Sequence, residues 1–162
     1  MMSNNPFQCV IDYQIDLTLY DTNDVDIQLI ADYTMSHLAS ASQISLNHVS
    51  EQQMQKLNMT YRQKDKPTNV LTFVYPPHES HHDLMRGVDN FYYGEIFLCH
   101  HIIQQEAIAQ CKPLSSHCKH IFIHALLHLC GYDHETDQDA QVMEGIEIDI
   151  LKHFHIQNPY LS

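Results

Sequence analysis

The 162-residue chain lacks the features that would place it in or across a membrane. No stretch approaches the roughly 18 consecutive apolar residues expected of a spanning helix. Its first residues, Met1 to Gln8, carry no positive charge ahead of an apolar segment, as a secretory signal would. The length favours one core. We therefore predict a cytoplasmic protein with no membrane segment, folded as a single domain over residues 1–162.

The cysteines lack the spacing of a redox or metal-binding motif. There are five of them, an odd number, and no Cys-x-x-Cys pair occurs. Free thiols in a reducing compartment are therefore expected. Cys130 lies close to the histidines discussed below, but we interpret it as a small, buried, apolar residue because free cysteine usually packs that way.

Basic residues are scarce. The chain has 8 Lys and Arg against 20 Asp and Glu, and the net charge of −12 is unusual for a nucleic-acid enzyme, which contacts phosphates through Lys and Arg. Four of the eight basic residues nevertheless fall in one short stretch: Lys56, Arg62, Lys64 and Lys66. An acidic protein can present one such positive patch to a polyanion. The alternative is that these four side chains are ordinary solvated surface charges.

Strand and helix patterns intermingle along the chain. Segments with alternating apolar residues or many β-branched and aromatic residues predict strands over 9–19, 44–49, 70–75 and 94–98. Helical patterns follow Asp24 and Ser50 and cover 100–110, 115–130 and 137–153. Residues 76–90 are polar and predict a loop. The result is an α+β fold with a mixed central sheet of about four strands packed with about five helices, in a strand order that the patterns leave open.

Several residues mark helix ends. Asp24 is a candidate N-cap for the first helix. Ser50 followed by Gln53 resembles a capping box for a helix that ends near residue 58. Ser115 or Ser116 can cap the helix that runs to about residue 130.

The 14 histidines include a group with the spacing of metal ligands. His124 and His128 are four residues apart, so they share one face of the predicted helix. Gly131 can end this helix in a left-handed turn, which would fold His134 back beside the other two rings. Three neutral imidazoles suit zinc and leave a fourth position for water, whereas a structural zinc site is usually closed by four protein ligands. The trio therefore predicts one catalytic Zn²⁺ per chain.

Spacing alone does not single out this trio. Three His-x3-His pairs occur where chance predicts roughly one, so a histidine-rich helix with partly buried rings is the alternative. His117 and His120 could also join the site. We prefer His134 because a ligand beyond the helix end lets three rings converge, whereas rings stacked along one helix spread over about 10 Å. Ala125 stands where zinc peptidases of the His-Glu-x-x-His type carry their general base, which disfavours that mechanism.

A second block, residues 58–73, has a distinctive order. Arg62 is followed by Asp65-Lys66-Pro67-Thr68 and then by Asn69, which leads into a predicted buried strand. Together with the segment from His124 to His134, this block resembles the YbeY family of bacterial RNA-cleaving enzymes. Further agreement lies in Gly94-Glu95-Ile96, in Met143 with Glu147, and in Asn158-Pro159-Tyr160. Ala125 and Glu95 replace the family's usual Gly and Asp, and residues 76–90 match no part of the family that we can place.

The resemblance implies a function as well as an α+β fold with bound zinc. The implied activity is a single-strand-specific endoribonuclease that acts in 3′-end maturation of small-subunit (16S) rRNA and in ribosome quality control. The implied partners are single-stranded RNA, the ribosome, ribosomal proteins and a ribosome-associated GTPase. Arg62 matches the family's functional Arg and would face the scissile phosphate. From the residues alone, an ion pair between Arg62 and Asp65 is the alternative.

Other residues near the second block have possible RNA contacts. Lys64 and Lys66 could hold the backbone, and Tyr61 or Tyr92 could stack on unpaired bases, although tyrosines more often pack in a core. Two competing functions stay open at this point. One is a zinc hydrolase of another class, such as a peptidase or amidase, and the other is a non-catalytic ribosome-assembly factor with a structural zinc.

Overall fold

In a computed structural model of the chain, which describes residues 5–161, a four-stranded sheet packs against helices. Residues 1–4, part of the segment in which the sequence predicts no secretory signal, lie outside this range. The strands are β1 (Cys9–Gln14), β2 (Ser40–His48), β3 (Val70–Tyr75) and β4 (Asn90–Leu98). The helices are α1 (Asp24–His37), α2 (Glu51–Arg62), α3 (His82–Met85), α4 (His100–Ala109), α5 (Leu114–Leu129) and α6 (Asp137–His153). Short 3-10 turns cover Leu17–Tyr20 and Glu79–His81.

The sheet has the order β1-β2-β4-β3. β1, β2 and β4 run parallel, and β3 pairs antiparallel with β4 at one edge. The predicted α+β class and mixed four-stranded sheet are confirmed. One helix more than predicted, the four-residue α3, interrupts the segment that the sequence predicted to be a loop.

Some strand boundaries differ from prediction. The first strand ends at Gln14, because the Asp16 carboxylate accepts a hydrogen bond from the Thr18 N–H (3.0 Å) and begins a 3-10 turn. β2 and β4 both begin four residues earlier than predicted, and Ser40 pairs with Asn90 at their shared start. The added residues of β2 are small or polar and pair through the backbone, which the hydropathy pattern does not register. Those of β4 are Asn90 and three aromatic residues, which directly follow the polar segment predicted as a loop.

Some of the predicted helix caps are present and others are not. The capping box is present: the Ser50 hydroxyl accepts from the Gln53 N–H (3.1 Å), and the Gln53 side chain accepts from the Ser50 N–H (3.0 Å). α2 continues four residues beyond its predicted end. Asn23 rather than Asp24 caps α1. α5 begins after Pro113 without a side-chain cap, so the predicted roles of Ser115 and Ser116 are wrong.

Helix α5 lies at the centre of the main core. Nine of its 16 residues are buried, and it packs against the sheet and against α1, α4 and α6. A smaller apolar cluster joins α2 to the other face of the sheet through Val49, Met54, Leu71 and Cys99. Because α5 is anchored on several sides, the histidines on its remaining face are held at a defined position beside the edge of the sheet.

Gly94 brings the edge strand close. A Cβ atom at this position would lie 2.2 Å from the Phe73 carbonyl oxygen and 2.7 Å from the Leu129 side chain. A side chain therefore has no space between β4, β3 and the end of α5. This close approach sets the later residues of β3, Phe73 and Val74, beside the C-terminal end of α5.

The sequence predicted that the chain has no membrane-spanning helix and that its cysteines are free thiols. No helix within residues 5–161 has both the length and the apolar character needed to cross a bilayer. All five cysteines fall in this range, and each is a free thiol. Cys130 is buried as expected, and burial raises its pKa to about 12.

Candidate metal centre and substrate cleft

The three predicted histidines meet at the C-terminal end of α5. His124 and His128 lie one turn apart, with ring centroids separated by 4.5 Å. The helix stops at Leu129, and Gly131 adopts a left-handed conformation (φ 93°), as predicted. The turn returns His134 to within 5.5 Å of the His124 ring and 5.2 Å of the His128 ring. One candidate ligand atom from each ring lies within 4.8 Å of the other two.

Hydrogen bonds define which nitrogens face one another. The His128 Nδ1–H donates to the Tyr132 carbonyl oxygen (2.9 Å), which can only accept. The His124 Nδ1–H donates to the Glu147 carboxylate (2.5 Å). In the neutral form an imidazole carries one proton, so with that proton on Nδ1 the Nε2 atom of each ring has a free lone pair. These two Nε2 atoms lie 3.0 Å apart.

This arrangement fits a metal ion. Two unprotonated nitrogens at 3.0 Å repel each other unless a cation lies between or beside them, and neutral imidazole is the form that binds metal. Burial lowers the pKa of His128, and the neighbouring His124 and His134 rings lower it further, which favours the neutral form. Among the described residues, no fourth His, Cys, Asp or Glu joins the cluster. The trio could therefore hold a metal and leave part of its coordination shell to other ligands.

Glu147, on α6, fixes the orientation of the His124 ring. Its side chain is fully buried, and it accepts hydrogen bonds from His124, from His120 (3.0 Å) and from the Tyr160 hydroxyl. Burial by itself would raise the pKa of this carboxyl, but the three hydrogen bonds outweigh it and hold the pKa at about 2. The carboxylate is thus ionised and fixes the His124 tautomer, as the outer partners of metal-bound histidines commonly do.

Glu147 is a residue of the candidate site to which the sequence analysis gave no role. It lies four residues after Met143 and three before Ile150, both buried on the same stripe of α6. A carboxylate on the core face of an amphipathic helix needs a buried partner. A charged residue among buried apolar ones could therefore have marked Glu147 in the sequence. Its partner could not have been identified, because that depends on the packing of α6 against α5.

His117 and His120 do not join the trio. His120 Nε2 faces Glu147 and the Tyr160 hydroxyl (3.3 Å). His117 is buried, and its Nε2 faces Glu106 (3.1 Å), which also accepts from the Asn69 amide (3.0 Å). The two rings therefore serve a supporting network between α4, α5 and α6, and the preference for His134 agrees with the geometry.

A cleft of about 660 Å³ opens over the trio. One wall consists of the start of β3, and the other consists of the end of α5 and the turn that follows it. Its lining includes the basic residues Arg62, Lys64 and Lys66, together with Asn58, Thr68, Asn69, Gly131, Tyr132 and Asp133. The two sequence blocks, more than 50 residues apart, thus meet in one cavity. A chain with a net charge of −12 presents three of its four clustered cations at this site, whereas Lys56 lines a separate cavity.

Arg62 is held by the backbone rather than by an acid. Its guanidinium donates to the Tyr61 carbonyl oxygen (3.1 Å) and to the Thr72 carbonyl oxygen (3.0 Å), and it lies 5.0 Å from the centre of the Phe73 ring. The alternative ion pair with Asp65 does not form: the Asp65 carboxylate accepts from Gln55 instead (3.0 Å). Within residues 5–161, Arg62, Lys64 and Lys66 form no salt bridge with a carboxylate.

The tyrosines proposed for stacking lie in different places. Tyr61 is 56% exposed and packs edge-on against Phe73, outside the cleft lining. Tyr92 is half-buried and lines a smaller cavity that adjoins the cleft. Tyr92 therefore lies near the turn at Gly131 and Tyr132 that precedes His134.

Together these features define an α+β protein with a candidate three-histidine metal centre under a basic cleft. Comparison with known proteins places it more narrowly. The family model described as endoribonuclease YbeY matches residues 12–155. The endoribonucleases YbeY of Francisella tularensis subsp. novicida (strain U112) and subsp. mediasiatica (strain FSC147) are each 42% identical over 136 residues, covering 84% of this chain and 80% of theirs. The chain belongs to the YbeY endoribonuclease family.

A solved structure supports the fold. The solution structure of TM1509 from Thermotoga maritima matches with a TM-score of 0.56 over 96% of this chain and 97% of that one. At 22% sequence identity, this likeness concerns the fold alone. The prediction of a single domain over residues 1–162 stays a prediction, as do the roles assigned to the trio and to Arg62.

Proposed function

We propose that this chain is a zinc-dependent endoribonuclease that cleaves single-stranded RNA, with His124, His128 and His134 as metal ligands and Arg62 at the scissile phosphate. One observation carries the proposal: the Nε2 atoms of His124 and His128 face each other at 3.0 Å, while their Nδ1 atoms lie against Glu147 and the Tyr132 carbonyl, in a cleft that also contains unpaired cations. Family membership supplies the RNA-cleaving class. Three nitrogen ligands with an open position are the ligand set expected of catalytic zinc.

His124 and His128 would hold the ion through Nε2, since Glu147 fixes the first ring and the Tyr132 carbonyl fixes the second, and His134 would add a third ring nitrogen. A zinc ion held there supplies a Lewis acid that polarises oxygen and lowers the pKa of water. The absence of a fourth protein ligand among the described residues favours this role over a purely structural zinc.

Arg62 is suited to a phosphate. A guanidinium has five N–H donors, and two of its contacts here are to the Tyr61 and Thr72 carbonyl oxygens. The remaining donors can meet phosphate oxygens and stabilise negative charge in the transition state. The Phe73 ring and the two carbonyls limit how far the side chain can move, so it is oriented before substrate binds.

Lys64 and Lys66 would contact the RNA backbone on either side of the cleaved bond. Both line the cleft, and neither forms a salt bridge with a carboxylate within residues 5–161. Their contribution is expected to weaken as salt rises, because phosphate contacts release counterions.

Family membership also suggests a cellular role for the proposed activity. We include 3′-end maturation of 16S rRNA and ribosome quality control in the cytoplasm, with the ribosome, ribosomal proteins and a ribosome-associated GTPase as partners.

The test is a metal-controlled cleavage assay. The purified chain is assayed for transition metals by elemental analysis and for cleavage of matched single-stranded and duplex RNAs, before and after chelation and zinc addition. We expect one zinc per chain, preferential cleavage of the single strand, loss of cleavage on chelation and recovery with zinc. A zinc-loaded chain that binds ribosomal particles but never cleaves RNA would instead support the assembly-factor alternative.

A further inference from the structure

A second, smaller cavity adjoins the metal centre. It has a volume of about 170 Å³ and shares Gly131 and Tyr132 with the main cleft. Its other walls include Ser40, Asn90 and Tyr92, at the start of β2 and β4. Tyr132 connects the two cavities directly, because its carbonyl oxygen orients His128 while the residue forms part of the small cavity.

The two cavities differ in charge. Arg62, Lys64 and Lys66 line the main cleft, whereas none of the described residues that line the small cavity carries a charge. The main cleft therefore suits phosphate, and the small cavity suits a neutral group. The volume of the small cavity corresponds to about six water molecules, which is room for one flat ring system rather than a whole nucleotide.

The small cavity offers aromatic rings and polar groups without partners. Within residues 5–161, the side-chain amide of the exposed Asn90 and the hydroxyls of Tyr92 and Tyr132 form no hydrogen bond with another protein group. The Ser40 hydroxyl donates to the Leu38 carbonyl oxygen (3.0 Å) and keeps its capacity to accept. Burial raises the pKa of Tyr92, and Cys130 and Tyr132 add to the rise, so its hydroxyl stays a neutral donor. Stacking surfaces beside donors and acceptors are the features that proteins use to hold unpaired bases.

We propose that this small cavity receives one unpaired nucleobase of the RNA, directly beside the cleaved bond. The inference rests on the proposed function and deepens it, because it names the part of the substrate that the second cavity holds. It also supplies a reason for single-strand preference. A base in a duplex cannot enter the cavity without losing its pair and its stacking, which costs energy that an unpaired base does not spend.

The test is an abasic scan combined with cavity variants. A short single-stranded RNA is prepared as a series in which each nucleotide in turn lacks its base. Binding of the purified protein is measured by fluorescence anisotropy with RNA integrity checked on a gel, and cleavage is measured on the same series. The variants are Asn90→Ala, with exposed Gln105→Ala on α4 as control, and Tyr92→Phe, with Tyr75→Phe on β3 as control.

We expect one abasic position to weaken binding by the wild-type protein by about tenfold, in the range that stacking of a base provides. Asn90→Ala and Tyr92→Phe should each weaken binding of intact RNA and reduce the sensitivity to that position by the share that the lost hydrogen bond contributes, while both controls behave as wild type. Since phenylalanine keeps the aromatic ring, the stacking share should remain in Tyr92→Phe. Thermal unfolding of each variant checks that the fold is unchanged.

Two outcomes separate this inference from the proposed function. Cleavage of intact RNA with no abasic position standing out, or cavity variants that match their controls, would overturn the base site and leave the ribonuclease standing. No cleavage in any condition, together with binding that depends on one base and on Asn90, would overturn the proposed function and support the base site.

Discussion

Two histidine clusters in this chain have the same spacing and different structures. His124 and His128 are four residues apart, and so are His78 and His82 in the segment between β3 and β4. The first pair lies on a 16-residue helix anchored in the core. The second spans a 3-10 turn and the four-residue α3, so its two rings do not share the face of one helix.

The Nδ1 atoms of the two clusters also have opposite hydrogen-bonding roles. In the trio, His124 and His128 donate their Nδ1–H groups outward, to Glu147 and to the Tyr132 carbonyl. In the loop, His78 Nδ1 accepts from the Ser80 N–H (3.4 Å) and His81 Nδ1 accepts from the His78 N–H (3.2 Å). His81 is buried against Phe91 and Tyr93. The loop rings thus stabilise a local turn, whereas the trio presents lone pairs to a shared point.

The comparison shows that His-x3-His spacing identifies candidate metal ligands. Which candidates can bind a metal depends on the acceptors that fix their Nδ1–H groups. Among residues 5–161, only the trio brings three potential ligand atoms close enough for one ion. Matched substitutions in the two clusters can therefore test the proposed metal centre with the rest of the chain as a constant background.

The largest expected effect is on metal content. His128→Ala removes one of three ligands and should abolish stoichiometric zinc, a loss beyond the roughly 10–100-fold that removing an outer partner causes. Elemental analysis of the purified protein measures it. His82→Ala in the loop is the matched control and should retain full zinc. Equal zinc in both variants would mean that the ligands are misassigned.

The next effect is on cleavage with metal retained. Arg62→Ala should lower kcat on single-stranded RNA by about 10²- to 10³-fold, the range for losing a donor to transition-state charge. Arg62→Lys should recover only part of the rate because it lacks the forked donor. Arg86→Ala is the control, since Arg86 pairs with Asp83 on the exposed surface of the loop. Full activity of zinc-loaded Arg62→Ala would remove this residue from the mechanism.

A smaller effect is expected beneath the trio. Glu147→Gln keeps the size of the side chain but removes the ionised acceptor of the His124 Nδ1–H, so zinc affinity should fall by roughly 10–100-fold. A competition titration against a chromophoric chelator measures the Kd. Glu144→Gln on the same helix serves as the control. If both variants bind zinc as tightly as wild type, the Glu147 carboxylate does not position His124.

The smallest effect compares two glycines with positive φ. Gly131 (φ 93°) follows α5, and Gly87 (φ 78°) follows α3. Alanine at either position places a side chain in the left-handed region, which costs roughly 1–2 kcal/mol of unfolding free energy. Chemical denaturation should show similar losses for both variants. Only Gly131→Ala should also weaken zinc binding, because it alone changes the turn that returns His134, and equal zinc affinities would contradict that role for the turn.

Much of the fold was readable from local patterns. The observed β3 and α6 have the predicted bounds, and the Ser50–Gln53 capping box is present as expected. The errors lie where nonlocal pairing decides. The predicted strand start at Gly94 is in the middle of β4, because the glycine there permits close approach of β3 rather than ending the strand. The strand order was not predictable, since hydropathy does not specify which edges pair.

The sequence by itself determined the helical face shared by His124 and His128 and the turn at Gly131, because both depend on backbone geometry over a few residues. Tertiary structure alone decided which buried carboxylate supports His124 and that the Thr72 carbonyl holds Arg62 at the cleft. It also decided that Asn90 and Tyr92 line a cavity next to Gly131 and Tyr132. These contacts join residues far apart in the chain. Their positions depend on how the sheet and helices pack, which no local pattern encodes.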